Sequence, residues 1–340
     1  MKRTAKLFFS VIALIVGLSI NCHAQQESQF TQYMFNRMYY NPAFAGSTGS
    51  ICATAMYRNQ WLGFRLDRPT PETKTGTVPV DYLFAIDLPV KFLHGGVGAS
   101  IIVDQIGYHK TININADYAF RMYWGPGNLA AAVELNMYNN TLDGSQLIGS
   151  DQLTGQYNNP SDPSVSDPMI ASSEESDFLI DISTGLYYQV PGSFYVGVSM
   201  KNLMGSKSDV LNYKNARAVY LLGGYDYTLP VNPSFHLKPS ALIKTADFTA
   251  FQAEASCLLS YQNAVWGGLS YRFRDAFAFM GGVNWNKLQV GLAYDLTTSK
   301  LGTFKSGRSQ GTAELYLKYC FKVIIPQKAP SIYRNTRYLL

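Results

Sequence analysis

From about Gly49 to Val323 the chain repeats one rhythm: ten or so residues alternating apolar and polar, then a turn. Period two sends successive side chains to opposite faces of a strand. In 177–189, Phe178, Ile180, Ile182, Leu186 and Tyr188 share one face, with Asp181, Ser183, Gly185 and Gln189 on the other. The same division recurs in 249–261, 288–297 and 311–323. The strands read as 50–61, 80–88, 96–106, 110–123, 128–138, 177–189, 193–203, 217–229, 234–245, 249–261, 264–274, 276–286, 288–297 and 311–323. That is fourteen, an even number, as a closed up-and-down barrel with both ends on one side requires. No later segment has the roughly 18 unbroken apolar residues of a membrane helix. A soluble sandwich would also alternate, and composition separates the two. Charged residues are 15% of the chain, against about 25% in ordinary soluble domains. There are 24 Tyr and 4 Trp, and rings near strand ends suit the membrane interface. The expectation is an all-β, transmembrane antiparallel up-and-down barrel of about 14 strands, its apolar rows facing lipid and its polar rows the lumen.

The start of the chain supports the same compartment. Lys2, Arg3 and Lys6 precede the apolar run Leu7–Ile20, and Cys22-His23-Ala24 is a small-residue exit before Gln25. This is the pattern of a cleaved signal peptide, residues 1–24. As an uncleaved anchor it is short and lacks a basic stop, and Ser19-Ile20-Asn21 is a poor setting for lipidation of Cys22. The expected plan is a signal peptide (1–24), an N-terminal aromatic periplasmic segment (25–48), an outer-membrane barrel (49–323) and a periplasmic C-terminal tail (324–340). Links 62–79, 139–176, 204–216 and 298–310 are long and polar, whereas those near 89–95, 124–127, 190–192, 230–233, 262–263 and 287 are short. Long loops belong outside, which puts both termini in the periplasm. Segment 139–176 lacks periodicity and reads as one loop, either a surface contact or lid or merely solvated.

Residues Gln29–Gly46 form an aromatic run before the first strand. Phe30, Met34, Arg37 and Met38 share one helical face, and Asn41-Pro42 ends any helix there. The segment is too short for an isolated helix, and its rings need cover. It reads as a small plug or docking segment in or under the periplasmic mouth, or else as a loosely packed lead-in to the first strand.

These residues also carry a resemblance. Gln29-Phe30-Thr31-Gln32-Tyr33-Met34-Phe35-Asn36, Tyr40-Asn41-Pro42-Ala43-Phe44-Ala45-Gly46 and Tyr57-Arg58-Asn59-Gln60-Trp61 resemble the PorP/SprF family of type IX secretion system membrane proteins. Weaker matches lie at Asp104-Gln105-Ile106-Gly107, Gly185-Leu186-Tyr187-Tyr188, Lys201-Asn202-Leu203 and Gly291-Leu292-Ala293-Tyr294-Asp295. The resemblance implies a barrel serving protein secretion or gliding motility. Its partners would be periplasmic secretion or motor proteins, or a large secreted adhesin that it helps to export or attach. On that basis Phe30, Tyr33, Phe35, Tyr40, Asn41, Pro42 and Trp61 are the candidate partner-binding residues. The motifs transfer no catalytic residue.

The register turns Arg58, Asp87, Asp117, Arg121, Glu134, Asp181, Lys201, Lys238, Lys244, Glu254, Arg272, Asp295, Glu314 and Lys318 inward. A selective pore tends to line its constriction with one sign. Mixed signs read as cross-strand pairs that stiffen a narrow bore, with Arg58, Glu134, Asp181, Lys201, Glu254, Arg272, Asp295, Glu314 and Lys318 as the expected network. Three cysteines follow the signal. Cys257 faces lipid, while Cys52 and Cys320 fall inward near the ends of strands that must pair; they are either a disulfide or two unlinked small residues. No Gly-x-Ser-x-Gly, His-x-x-x-His, phosphate-cradling loop or metal-ligand spacing occurs, so no enzyme, cofactor or metal is expected. The net charge of +5 is spread out, which argues against nucleic acid. Outer-membrane lipid is the expected surroundings, and no small-molecule substrate is expected. The alternative reading is a porin-like channel for small solutes.

Overall fold

The structure is a computed structural model that describes residues 27–63, 78–144, 173–211, 213–299 and 310–322. Among these, fourteen strands form one antiparallel sheet: β1 (Ser50–Asn59), β2 (Val80–Val90), β3 (Gly95–Ile106), β4 (His109–Trp124), β5 (Gly127–Asp143), β6 (Glu174–Val190), β7 (Phe194–Lys201), β8 (Ala218–Tyr225), β9 (Phe235–Ala246), β10 (Ala250–Tyr261), β11 (Val265–Arg272), β12 (Ala276–Trp285), β13 (Leu288–Thr297) and β14 (Thr312–Lys322). Each strand pairs with the next, and β14 pairs back onto β1 from Ser50↔Lys322 to Asn59↔Ala313. Closure leaves no free edge, the condition for strands in hydrocarbon.

The faces are arranged as lipid demands. In β6, Phe178 and Ile180 are 57% and 49% exposed, while Leu179, Asp181 and Ser183 on the opposite face are buried. Exposed aromatic side chains gather near strand ends: Tyr123, Trp124 and Trp285 at one end, Phe178, Phe251 and Tyr271 at the other. Short turns connect β2–β3, β4–β5, β6–β7, β10–β11 and β12–β13 at the end where β1 starts and β14 stops. We call this the turn end; by the barrel rule it faces the periplasm, and the opposite, loop end faces outward.

Three local expectations are corrected. The segment 139–176 is not one loop, because β5 continues to Asp143 and β6 starts at Glu174, extending the hairpin through Asp143↔Glu174. Its polar sequence hid strands standing clear of the lipid, where neither face needs to be greasy. The remainder, 145–172, lies outside the described residues, as do the expected signal peptide, 1–24, and the tail 324–340. The strand 217–229 is broken at Asp226, leaving Tyr227–Thr228 as a short bridge to β9. Pro239 stands opposite this break, and lacking an N–H it cannot extend the ladder there. Finally, among the described residues of the N-terminal segment, α-helix forms at α1 (Arg37–Tyr40), followed by a 3-10 turn at Pro42–Phe44. Phe30 and Met34 share no helix with Arg37, since contacts with the barrel wall replace helical bonds.

Cys52 and Cys320 stand directly opposite each other across the β1–β14 seam, and their sulfurs are bonded. Cys257 is exposed on the outer face of β10.

Candidate functional site: the plugged bore

The polar rows of fourteen strands face a bore that residues 27–46 fill. Phe30, Thr31, Gln32, Tyr33, Tyr40, Asn41, Ala43 and Ala45 are at most 1% exposed, so burial here rivals a soluble core. The segment begins at the loop end, level with the end of β7, and descends to Phe35, which packs on Trp266 and Tyr316 at ring distances of 4.6 and 5.1 Å. It rises again through α1 and then falls to Gly46 at the turn end.

Thr31 is the hub of the strongest grip. Its backbone N–H donates to Glu314 Oε2 (2.7 Å), and that of Gln32 donates to Glu314 Oε1 (2.9 Å). Its hydroxyl donates to Asp295 and accepts from Arg58 Nη1 (2.9 Å) and Arg272 Nη2 (3.1 Å). Arg58 also pairs with Glu314 and Asp295, both at 3.0 Å. Arg272 pairs with Glu254 at 3.0 Å and with Asp295 at 3.4 Å. Arg58–Glu314 and Arg272–Glu254 are cross-strand neighbours. Charges buried this deeply are tolerated because each is ion-paired and hydrogen-bonded.

A second grip holds the start of the plug. Lys201 Nζ lies 3.4 Å from Glu27 and 3.9 Å from Glu134, and its ammonium stands over the ring of Tyr39. The Glu27 carboxylate also accepts from Asn202 Nδ2 (3.0 Å) and the Tyr220 hydroxyl (2.9 Å).

Asn41 makes the third. Its Nδ2 donates to the carbonyls of Leu186 (2.9 Å) and Val198 (3.3 Å), while its Oδ1 accepts from Ala43 N and caps the 3-10 turn. A Cβ on Gly185 or Gly197 would collide with this amide. These two wall glycines exist as a slot for one plug side chain. Gly96 does the same for the Ala45–Gly46 backbone. The plug leaves at Gly46, whose N–H donates to Asp87 (3.0 Å) while Arg121 donates to the carbonyls of Ala45 and Gly46. Between these levels Arg37 Nη1 donates to the Tyr187 hydroxyl and its guanidinium lies 3.8 Å from the Tyr195 ring centre.

The structure thus brings eight of the nine expected network charges to the plug or to groups that hold it. Arg58, Glu254, Arg272, Asp295 and Glu314 surround Thr31; Lys201 and Glu134 flank Glu27; Lys318 lies 5.7 Å from the Phe44 ring centre. Asp181 differs: it accepts backbone N–H bonds from Met204 and Ser206 and pins the loop after β7. Wall-to-wall pairs such as Arg58–Glu314 and Arg272–Glu254 are present, and the same charges also grip the plug. Of the candidate partner-binding residues, Phe30, Tyr33, Tyr40, Asn41 and Pro42 are buried and Phe35 is half-buried. The five buried residues pack against the wall and offer no outward surface. Trp61 sits apart, beyond the loop end of β1, its N–H donating to Thr312 Oγ1. Sequence reasoning missed the roles of Glu27, Thr31 and Gln32, although the Gln-Phe-Thr-Gln run was its most specific motif. It missed the wall glycines too, because a glycine in a strand looks the same whether it faces lipid or a plug.

Two cavities flank the plug, one of about 90 Å³ at the loop end and one of about 340 Å³ at the turn end. Among the described residues no cluster of three or more His, Cys, Asp or Glu is placed to hold a metal.

A closed antiparallel barrel with greasy outer rows and a charge-gripped plug is an outer-membrane protein whose bore is filled. Within that class, the model of the family described as type IX secretion system membrane protein PorP/SprF matches residues 22–319, and this chain belongs to that family. Comparison with curated proteins finds no match. Among solved structures, the chain resembles the Acinetobacter baumannii outer membrane protein Omp33 at 10% identity and a TM-score of 0.41, covering 80% of this chain and 97% of that one. It also resembles the CymD monoaromatic hydrocarbon channel at 12% identity and a TM-score of 0.43, covering 84% and 92%.

Proposed function

We propose that this protein is a non-catalytic, sealed barrel that serves type IX secretion by protein contact rather than by passing solutes. The observation that carries this reading is the grip on Thr31. Glu314 takes two plug N–H groups while Arg58, Arg272 and Asp295 converge on one plug hydroxyl. Releasing the plug would break the two N–H bonds to Glu314 and the three bonds at the Thr31 hydroxyl, hydrogen bonds to charged groups worth roughly 1.5–3 kcal/mol each. A filler held this way is a structural part, not a gate that opens with thermal motion.

With the aromatic segment turned inward, contact with partners falls to the barrel's two ends. At the turn end, Phe92, Tyr123 and Val231 are 80%, 92% and 98% exposed, at the β2–β3, β4–β5 and β8–β9 connections. Large apolar side chains at such tips suit a protein partner. The partners in this reading are other secretion or gliding-motor proteins on the periplasmic side and an adhesin-type client whose export or surface attachment the barrel assists. The test compares the wild type with a Phe92→Ser, Tyr123→Ser, Val231→Ser triple variant. Insertion and heat-modifiable mobility should be unchanged while export of type IX clients falls. Unchanged export from a normally inserted variant would rule out the turn end as the contact surface. Stable conductance by the wild type in planar bilayers would favour a solute channel instead.

A further inference from the structure

The cavity at the loop end lies between the first residues of the plug and the connection from β7 to β8. Buried side-chain polar atoms without a hydrogen bond gather around this cavity. Asn113 Oδ1, Asn215 Nδ2 and Gln252 Oε1 are buried without a hydrogen bond, and all three residues line the cavity. Lys244 lines it as well, only 8% exposed, and its ammonium joins no ion pair among the described residues. Asn113 and Asn215 are 7% and 2% exposed. Glu27 also borders the space, but its carboxylate is engaged by Lys201, Asn202 and Tyr220. Asp104, facing Asp81 across β2 and β3, contributes an acidic side.

An unmade buried hydrogen bond costs roughly 1–3 kcal/mol and a charged group more. Three such amides, with the Lys244 ammonium beside them, define what would complete the space. Lys244 and Asn215 supply donors, so the missing group carries acceptors, and the cation calls for negative charge. Asn113 and Gln252 supply acceptors, so the same molecule also carries an O–H or N–H. The volume equals about three waters at ~30 Å³ each. Three waters would serve the amides but leave the cation without a counter-charge.

We propose that this cavity binds a compact carboxylate bearing a hydroxyl or amino donor, its carboxylate on Lys244 and its donor on Asn113 and Gln252. Such a group is presented equally by a free small acid and by the C-terminal end of a peptide. This departs from the expectation of no small-molecule partner, and it stands independently of the secretion role.

Titration calorimetry of the full barrel in detergent provides the test, with glycolate, acetate and triglycine as probes. Glycolate is expected to bind, and acetate, lacking the donor, to bind roughly tenfold more weakly. Lys244→Met should weaken glycolate by at least about tenfold, whereas Asn113→Leu should narrow the gap between glycolate and acetate. Triglycine binding at least as tightly as glycolate assigns the site to peptide C-termini; the reverse order assigns it to free acids. Wild-type crystals soaked in glycolate give a readout that needs no variant, with density expected between Lys244 and Gln252. No heat from any probe, together with density showing ordered water or an adventitious additive only, would overturn the proposal.

Discussion

Thr31 shows how much one small side chain can carry. Its hydroxyl stands between Arg58, Arg272 and Asp295, and its N–H meets Glu314. Hydrogen bonds to charged groups are worth roughly 1.5–3 kcal/mol each. Thr31→Val keeps the shape and removes the hydroxyl, so we expect a loss of about 2–4 kcal/mol, read as a lowered urea midpoint of the folded barrel in detergent. Thr31→Ser keeps the bonds and should fall within about 1 kcal/mol of the wild type. Equal stability of the Val and wild-type proteins would show that the hub is not under load. Gly185→Ala tests the slot for Asn41. The added Cβ meets the Asn41 amide, and overpacking of this kind typically costs about 1–3 kcal/mol. Pairing it with Asn41→Ala should recover part of that loss in the same assay, because the obstacle is gone.

At the scale of elements, the seam and the plug belong together. The plug runs through Gly46 almost directly into β1, and β1 is closed against β14 by the Cys52–Cys320 bond. That link spans 268 residues of sequence, so by the chain-entropy account its removal costs roughly 2–5 kcal/mol. Cys52→Ser with Cys320→Ser should therefore insert but lose heat-modifiable mobility at a lower temperature than the oxidised wild type. Reduction of the wild type should reproduce the shift, and no difference between the three would show the seam to be held by its ladder alone. Deleting residues 27–46 tests the other element. The ring of charges around Thr31 would then line water rather than plug, and the variant should conduct in planar bilayers where the wild type is nearly silent. Silence of the deletion variant, once its insertion is verified, would place the seal elsewhere.

At the scale of the molecule, function divides between what is hidden and what is presented. The bore, where a porin keeps its chemistry, is used here to hold the chain's own N-terminal segment. What remains available to partners is the two rims. The family to which the chain belongs is one of type IX secretion membrane proteins, and a rigid, filled cylinder with exposed apolar turn tips is suited to anchoring other proteins in the outer membrane.

The barrel was legible from sequence because the signal is local. Alternation in β6, β10, β13 and β14 needs only neighbouring residues, and lipid enforces it on every strand. The inward placement of Arg58, Glu254 and Asp295 followed from the same period of two. What those charges hold could not be read this way. Thr31 and Glu314 are 283 residues apart, and no periodicity connects them. Nor could the aromatic run disclose whether Phe30, Tyr33 and Tyr40 face a partner or a wall, since both offer a ring the same relief from water. Only the closing of β1 on β14 around a bore of one particular width decided it. That closure brought Gly185 and Gly197 to Asn41 and Lys201 to Glu27, and it left Lys244, Asn113 and Gln252 around a space that the described residues do not fill.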